Sequence, residues 1–367
     1  MDAADVVLAL VVLTALAFDF TNGFHDTANA MATSIATRAL SARKAVALAA
    51  VLNFVGAFLS LEVAATIAED IVDPAAITPA IILAGLLGGI LWNLLTWRLG
   101  LPSSSSHALI GGVVGAVVVA AGFDAVEADG LVGEVLVPSV IAPVLALVVA
   151  GLATFVVFRR IRDWLPDRIQ SSFRHGQLAS ASLVALSHGT NDAQKTMGVI
   201  TLALVAHGSL DRGAGVPAWV VVCAAAAISL GTAIGGWRII RTVGHRLTEI
   251  NAAQGFSAET SGAMVILAAS HAGFPLSTTH VTSGAVLGAG VGRRAAEVRW
   301  GVAGQMVVAW LLTLPAAALI AAVAYLGVDE LGGEVVGPLV VSAAAAVAAV
   351  GLFLQAQRNA PITAKDV

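Results

Sequence analysis

The sequence predicts an all-α polytopic membrane protein made of two inverted-topology repeats, each with a broken helix and a re-entrant helical hairpin. Three observations carry this expectation. Of 367 residues, 58% are hydrophobic and only 11% are charged, with a mean hydropathy of +0.90, far from the balance of a water-facing surface. One hydroxyl-rich phrase is written twice without a gap, as LPSSSSHALIGGVVGA at 101–116 and FPLSTTHVTSGAVLGA at 274–289. The loops alternate between basic and acidic along the chain.

Apolar runs lie at 6–20, 26–37, 44–66, 79–97, 107–122, 135–158, 178–207, 216–237, 257–271, 280–292, 300–327 and 336–356. The first lacks a basic leader and a small-residue cleavage site, so it reads as a span of the mature chain and not as a signal peptide. Several runs fall short of the ~20 residues that a crossing needs. The runs 79–97 and 107–122 flank the first hydroxyl phrase, and 257–271 and 280–292 flank the second. Both pairs read as hairpins, and the second is too short for two crossings. The lone Cys223 makes no intrachain disulfide.

Basic loops hold Arg38, Arg43 and Lys44; then Arg159, Arg160, Arg162, Arg168 and Arg174; then Arg238, Arg241 and Arg246; then Arg293, Arg294 and Arg299. Between them lie Glu69, Asp70 and Asp73; Asp124, Glu127, Asp129 and Glu134; and Asp329, Glu330 and Glu334. Positive loops stay on the cytoplasmic side, which places the N-terminus outside. The first hairpin then enters from outside and the second from inside, the pattern of inverted-repeat transporters. The expected division is a first repeat at 1–158, a basic cytoplasmic loop at 159–176, a second repeat at 177–327 and an extra C-terminal span and tail at 328–367.

In each hydroxyl phrase a Pro ends or kinks the preceding helix. Ser or Thr then caps the next one. A helix start offers unpaired N–H donors and partial positive charge, so each phrase reads as an anion site. A second repeat pairs TNGFHDTANAM at 21–31 with SHGTNDAQKTM at 187–197, a fixed 166 positions apart. Asp19, Asn22, Asp26 and Asn29 share one helix face, as do His188, Asp192 and Lys195, with Asn191 beside them. Ionisable groups inside a span point to function. Gly23 and Gly189 are expected to break their helices and free carbonyls. Carboxylates, amides and carbonyls are hard oxygen ligands for a small cation. An anion beside carboxylates is repelled unless a cation or proton lies between them. The two halves together therefore read as a cation-coupled anion symporter, with the Lys195 ammonium replacing one bound cation where the first copy has Asn29.

GFHDTANAMATS at 23–34, TNDAQKTMG at 190–198, PSSSSH at 102–107 and PLSTTH at 275–280 resemble, in order, the paired signatures of the inorganic phosphate transporter (PiT) family. The resemblance spans about residues 6 to 327. It implies phosphate uptake driven by sodium or protons, with a frequently dimeric assembly in the plasma (inner) membrane. It also implies that Ser104, Ser105, Ser106, Ser277, Thr278 and Thr279 hold phosphate. Asp26, Asn29, Asn191 and Asp192 would hold the coupling cation and the rim of the phosphate site, with Asn22 and Lys195 on the same polar faces. His25 stands where that family usually has Asn, and the first tip is all Ser. A histidine carries protons near neutral pH, so His25 weighs toward proton coupling.

His107 and His280 are expected to pack under the tips and not to activate a Ser nucleophile. Arg98 is expected to snorkel. Glu259 is expected in the first turn of an interfacial helix. Trp92, Trp97, Trp219, Trp237 and Trp300 are expected in an interfacial belt. No metal cofactor or nucleic-acid partner is expected; the partners are inorganic phosphate and the bilayer. Sulfate or a metal–phosphate complex is the alternative cargo. An intramembrane hydrolase is the alternative class, disfavoured because duplication builds a symmetric binding site and not one asymmetric catalytic one.

Overall fold

The computed structural model describes residues 2–69, 71–72, 76–295, 298–359 and 362–367. The chain is helical almost throughout, in the order α1 (Ala3–Ala36), α2 (Ala42–Gly56), α3 (Glu62–Glu69), α4 (Pro79–Leu99), α5 (Ser105–Ala121), α6 (Ala128–Gly130), α7 (Val137–Arg160), α8 (Pro166–Ala206), α9 (Ala218–Ile234), α10 (Trp237–Arg241), α11 (Ala252–His271), α12 (Thr278–Arg294), α13 (Trp300–Leu331) and α14 (Val336–Asn359). Among the described residues, five helices are long and apolar enough to cross a membrane, and six if the bent α9–α10 pair is one span. The protein is a multi-pass membrane protein.

The helix ends follow from local chemistry. A capping box of Asp2 and Asp5 starts α1, and Thr78 followed by Pro79 starts α4. Each hairpin turn uses the same parts. A left-handed glycine, Gly100 (φ 68°) or Gly273 (φ 82°), lets the chain leave the first helix. Pro102 or Pro275 then blocks any continuation. Ser104 or Ser277 caps the return helix by accepting from the backbone N–H of His107 (3.1 Å) or His280 (3.2 Å).

The break expected at Gly23 and Gly189 is absent: α1 and α8 run unbroken through both glycines. The two residues serve close packing. A Cβ added at Gly23 would lie 2.2 Å from the Ile228 carbonyl oxygen of α9, and one at Gly189 would lie 2.3 Å from the Asn53 carbonyl oxygen of α2. The bend is elsewhere, 60° between α9 and the segment Trp237–Arg246. The separate runs 6–20 and 26–37 are one helix, because the polar residues between them face protein and not lipid. Of the expected loop 159–176, the part from Pro166 onward is the start of α8. The run expected from 257 begins at 252, where Asn251 and Gln254 form a capping box. In the acidic loop, Asp70 and Asp73 lie outside the described residues.

The packing repeats itself. α1 packs on α9 as α8 packs on α2, and α1 packs on α4 as α8 packs on α11. α5 packs on α13 as α12 packs on α7. Hairpin helices α5 and α12 therefore lean on the long span of the opposite half, and α1 and α8 cross beside both tips.

Candidate functional site

The hydroxyl phrases and the α1 and α8 stripes converge on one buried centre. Asp26 is 2% exposed, Asp192 and Lys195 1%, and none of the six tip hydroxyl residues exceeds 3%. The tips touch: the Ser106 hydroxyl donates to the Leu276 carbonyl at 3.0 Å, and the Lys195 ammonium donates to the same oxygen at 2.8 Å. Behind them the His107 and His280 rings meet edge-on at 4.8 Å, and His280 lies against Trp310 at 4.2 Å. Trp310 Nε1 donates to the Pro102 carbonyl at 3.0 Å. The histidines thus pack under the tips, and Ser104 and Ser277 use their hydroxyls on their own helices.

The two signature aspartates approach the second tip from opposite helices. Thr278 donates to Asp192 Oδ2 at 3.0 Å. The Thr279 hydroxyl lies 3.5 Å from both carboxylate oxygens of Asp26 and accepts from Asn29 Nδ2 at 2.9 Å. Asp192 also binds the Lys195 ammonium, three residues along α8. That pair keeps two charges neutral in a low-dielectric interior.

Each aspartate has a histidine. His25 Nδ1 meets Asp26 Oδ1 at 2.6 Å, and its Nε2 faces Thr96 (3.3 Å) and Ser103 (3.4 Å). His188 Nε2 lies 2.9 Å from Asp192 Oδ2, off the angle of a hydrogen bond, while Nδ1 meets Asn53 Oδ1 at 3.2 Å. Ligand atoms of Asp26, His188 and Asp192 all lie within 4.8 Å of one another.

Not every expected residue joins this cluster. The Asn191 amide turns away, donating to Ser270 (2.9 Å) and the Phe274 carbonyl (3.3 Å). Its Oδ1, those of Asn22 and Asn29, and the Ser105 hydroxyl are buried without a hydrogen-bond partner.

Glu259 departs furthest from expectation. It is not interfacial but 4% exposed, well inside α11. Its Oε1 accepts from Thr33 (2.6 Å), Ser34 (2.6 Å) and Gln177 (3.0 Å), and its Oε2 from Ser180 (2.5 Å). The Asn251–Gln254 capping box is the sequence signal that places it there. Trp97 is likewise not in a belt: it is buried, stacked on Phe353 at 5.5 Å and edge-on to Phe24 at 5.4 Å.

Comparison with known proteins places the chain in a family. Residues 22–321 match the model of the phosphate transporter family. A Mycobacterium bovis protein described as "Probable low-affinity inorganic phosphate transporter" is 56% identical over 328 residues, covering 89% of this chain and 79% of its own length. Relatives with the same description occur in Rhizobium meliloti (47% identical; 90% and 99% covered) and Bacillus subtilis (45% identical; 89% and 98% covered). A solved structure described as "The sodium-dependent phosphate transporter" superposes with a TM-score of 0.79 at 26% identity, covering 88% of this chain and 99% of the other.

Proposed function

This chain belongs to the phosphate transporter family, and from that premise we propose that it imports inorganic phosphate by symport with a cation, through alternating access. It is a transporter and not an enzyme, and phosphate is its substrate. Coupling is the further step. Phosphate sits between the two hairpin tips, held by the free N–H groups of two helix starts and by the hydroxyls of Ser105, Ser106, Thr278 and Thr279. Ser104 and Ser277 shape the tips as caps. Asp26, Asn29 and Asp192 hold the coupling cation against the anion, and Asn191 contributes its side-chain oxygen once its amide reorients. Asn22, one turn before Asp26 on α1, serves cation binding on the same helix face away from the tips.

The observation that carries this reading is the contact of both signature aspartates with the hydroxyls of one tip. Carboxylates at that distance repel a fully ionised oxyanion. They accept a hydrogen bond from protonated phosphate, which sulfate cannot give. A sodium ion or proton beside them neutralises what remains. The solved relative is described as sodium-dependent, which supports sodium. The two halves, proposed to be inverted repeats with the N-terminus outside the plasma membrane, rock about this centre.

The test is uptake of labelled phosphate into proteoliposomes under a sodium or a proton gradient, with excess sulfate as competitor. Accumulation above the external concentration, insensitive to sulfate and lost in both Asp26→Asn and Asp192→Asn, is expected. Gradient-driven accumulation by either variant contradicts the assignment. A second reading, transport of a divalent metal–phosphate complex, is favoured by the Asp26–His188–Asp192 cluster. Stoichiometric uptake of labelled divalent cation in the same vesicles distinguishes it.

A further inference from the structure

Asp19 lies one to two turns before Asp26 on α1, outside the tip cluster. It is fully buried, at 0% exposure, and both carboxylate oxygens lack a hydrogen-bond donor. A carboxylate left so in a membrane interior costs several kcal/mol unless something neutralises it. Its surroundings are polar: Asn22 on its own helix and Thr196 on α8 face it, with Asp192 and Lys195 beyond. The Asn22 side-chain oxygen and the Thr196 hydroxyl are buried without partners too. Four oxygen atoms on three side chains are therefore unsatisfied in one place.

Lys195 does not resolve this. Its ammonium is engaged by Asp192 and by the Leu276 carbonyl, and among the described residues it makes no ion pair with Asp19. A single proton is the competing occupant: on Asp19 it would donate to the Asn22 oxygen while the Thr196 hydroxyl turns onto the carboxyl, and a chain holding a proton at Asp19 binds no sodium there in the experiment below. A small hard cation matches all four oxygens, since carboxylate, amide and hydroxyl oxygens are the ligands such ions take. The single carboxylate charge and the nearby ammonium favour a monovalent ion over a divalent one.

We infer that Asp19, Asn22 and Thr196 form a sodium site separate from the tip centre, one turn of α8 beside the Asp192–Lys195 pair. The α8 position that matches Asp19 by the 166-residue offset is Ala185, so the site exists in one half only. The ion ties α1 to α8. The inference rests on the cation-coupled reading above but is testable apart from it.

The experiment is equilibrium binding of labelled sodium to the purified full-length protein without phosphate, with N-methylglucamine as the replacement cation. Asp19→Asn is expected to bind one sodium fewer per chain than the wild type. Thr196→Val is expected to keep the count with about tenfold weaker affinity, since the ion loses one of its oxygen ligands. An unchanged count in Asp19→Asn, or a wild type that binds no sodium, overturns the site. If Asp19→Asn is not recovered folded, Thr196→Val decides, and unchanged affinity there overturns it. Should Asp19→Asn lose its ion while Asp26→Asn still accumulates phosphate, the tip centre is wrong and this site stands. Should Asp26→Asn abolish uptake while the wild type binds no sodium, only this inference falls.

Discussion

Lys195 is the one amine among the site residues, fully enclosed and paired with Asp192. Removing one partner of a buried ion pair typically costs about 3–5 kcal/mol, because a charge is left without compensation. If the ammonium replaces a cation, an ion from solution can take its place. Lys195→Asn should then melt at a lower temperature in cation-free medium, recover when the coupling cation is added, and raise the cation:phosphate ratio by about one in paired isotope fluxes. An unchanged ratio with normal uptake would remove the idea. Asp26 and Asp192 are legible in the sequence because they are charged, set in polar helix faces and written twice, and Lys195 because it breaks that repeat with a charge where the first copy has Asn29. Glu259 is not, because hydropathy starts its helix at the first apolar residue and not at the Asn251–Gln254 capping box. The orientation of the Asn191 amide has no sequence signal, since an amide can turn either way.

At the scale of elements, the hairpin tips are readable and the glycines mislead. Gly–x–Pro–x–Ser in both tips dictates a left-handed exit, a stop and a cap. Ser277→Ala removes that cap, at about 1 kcal/mol. If the tip's shape sets the anion site, phosphate affinity measured by titration should fall about fivefold; unchanged affinity would separate cap from site. A glycine within a polar stretch fits either a helix break or a tight crossing, and the sequence alone does not contain the helix that crosses. Here α2 crosses at Gly189, so Gly189→Ala should cost about 1–3 kcal/mol by overpacking. Gly301→Ala is the control, since an added Cβ there meets nothing within 4 Å. Equal melting temperatures for the two variants would mean that the α2–α8 crossing is not tight.

At the scale of the whole molecule, each half is incomplete without the other. The second tip receives Asp192 from its own half but Asp26 from the other, and each return helix leans on a long span of the opposite half. The duplicated motifs announce this architecture, while hydropathy splits α1 in two because residues buried against protein need not be apolar. The proposed alternating access follows from joining the halves around one guest: on that reading, their relative motion carries the guest from side to side. An experimental structure determined with phosphate and sodium present tests this most directly. It should show one tetrahedral density bridging Ser105 or Ser106 to Thr278 or Thr279, beside Asp26 and Asp192. Phosphate bound to one tip alone, or away from both, would contradict it.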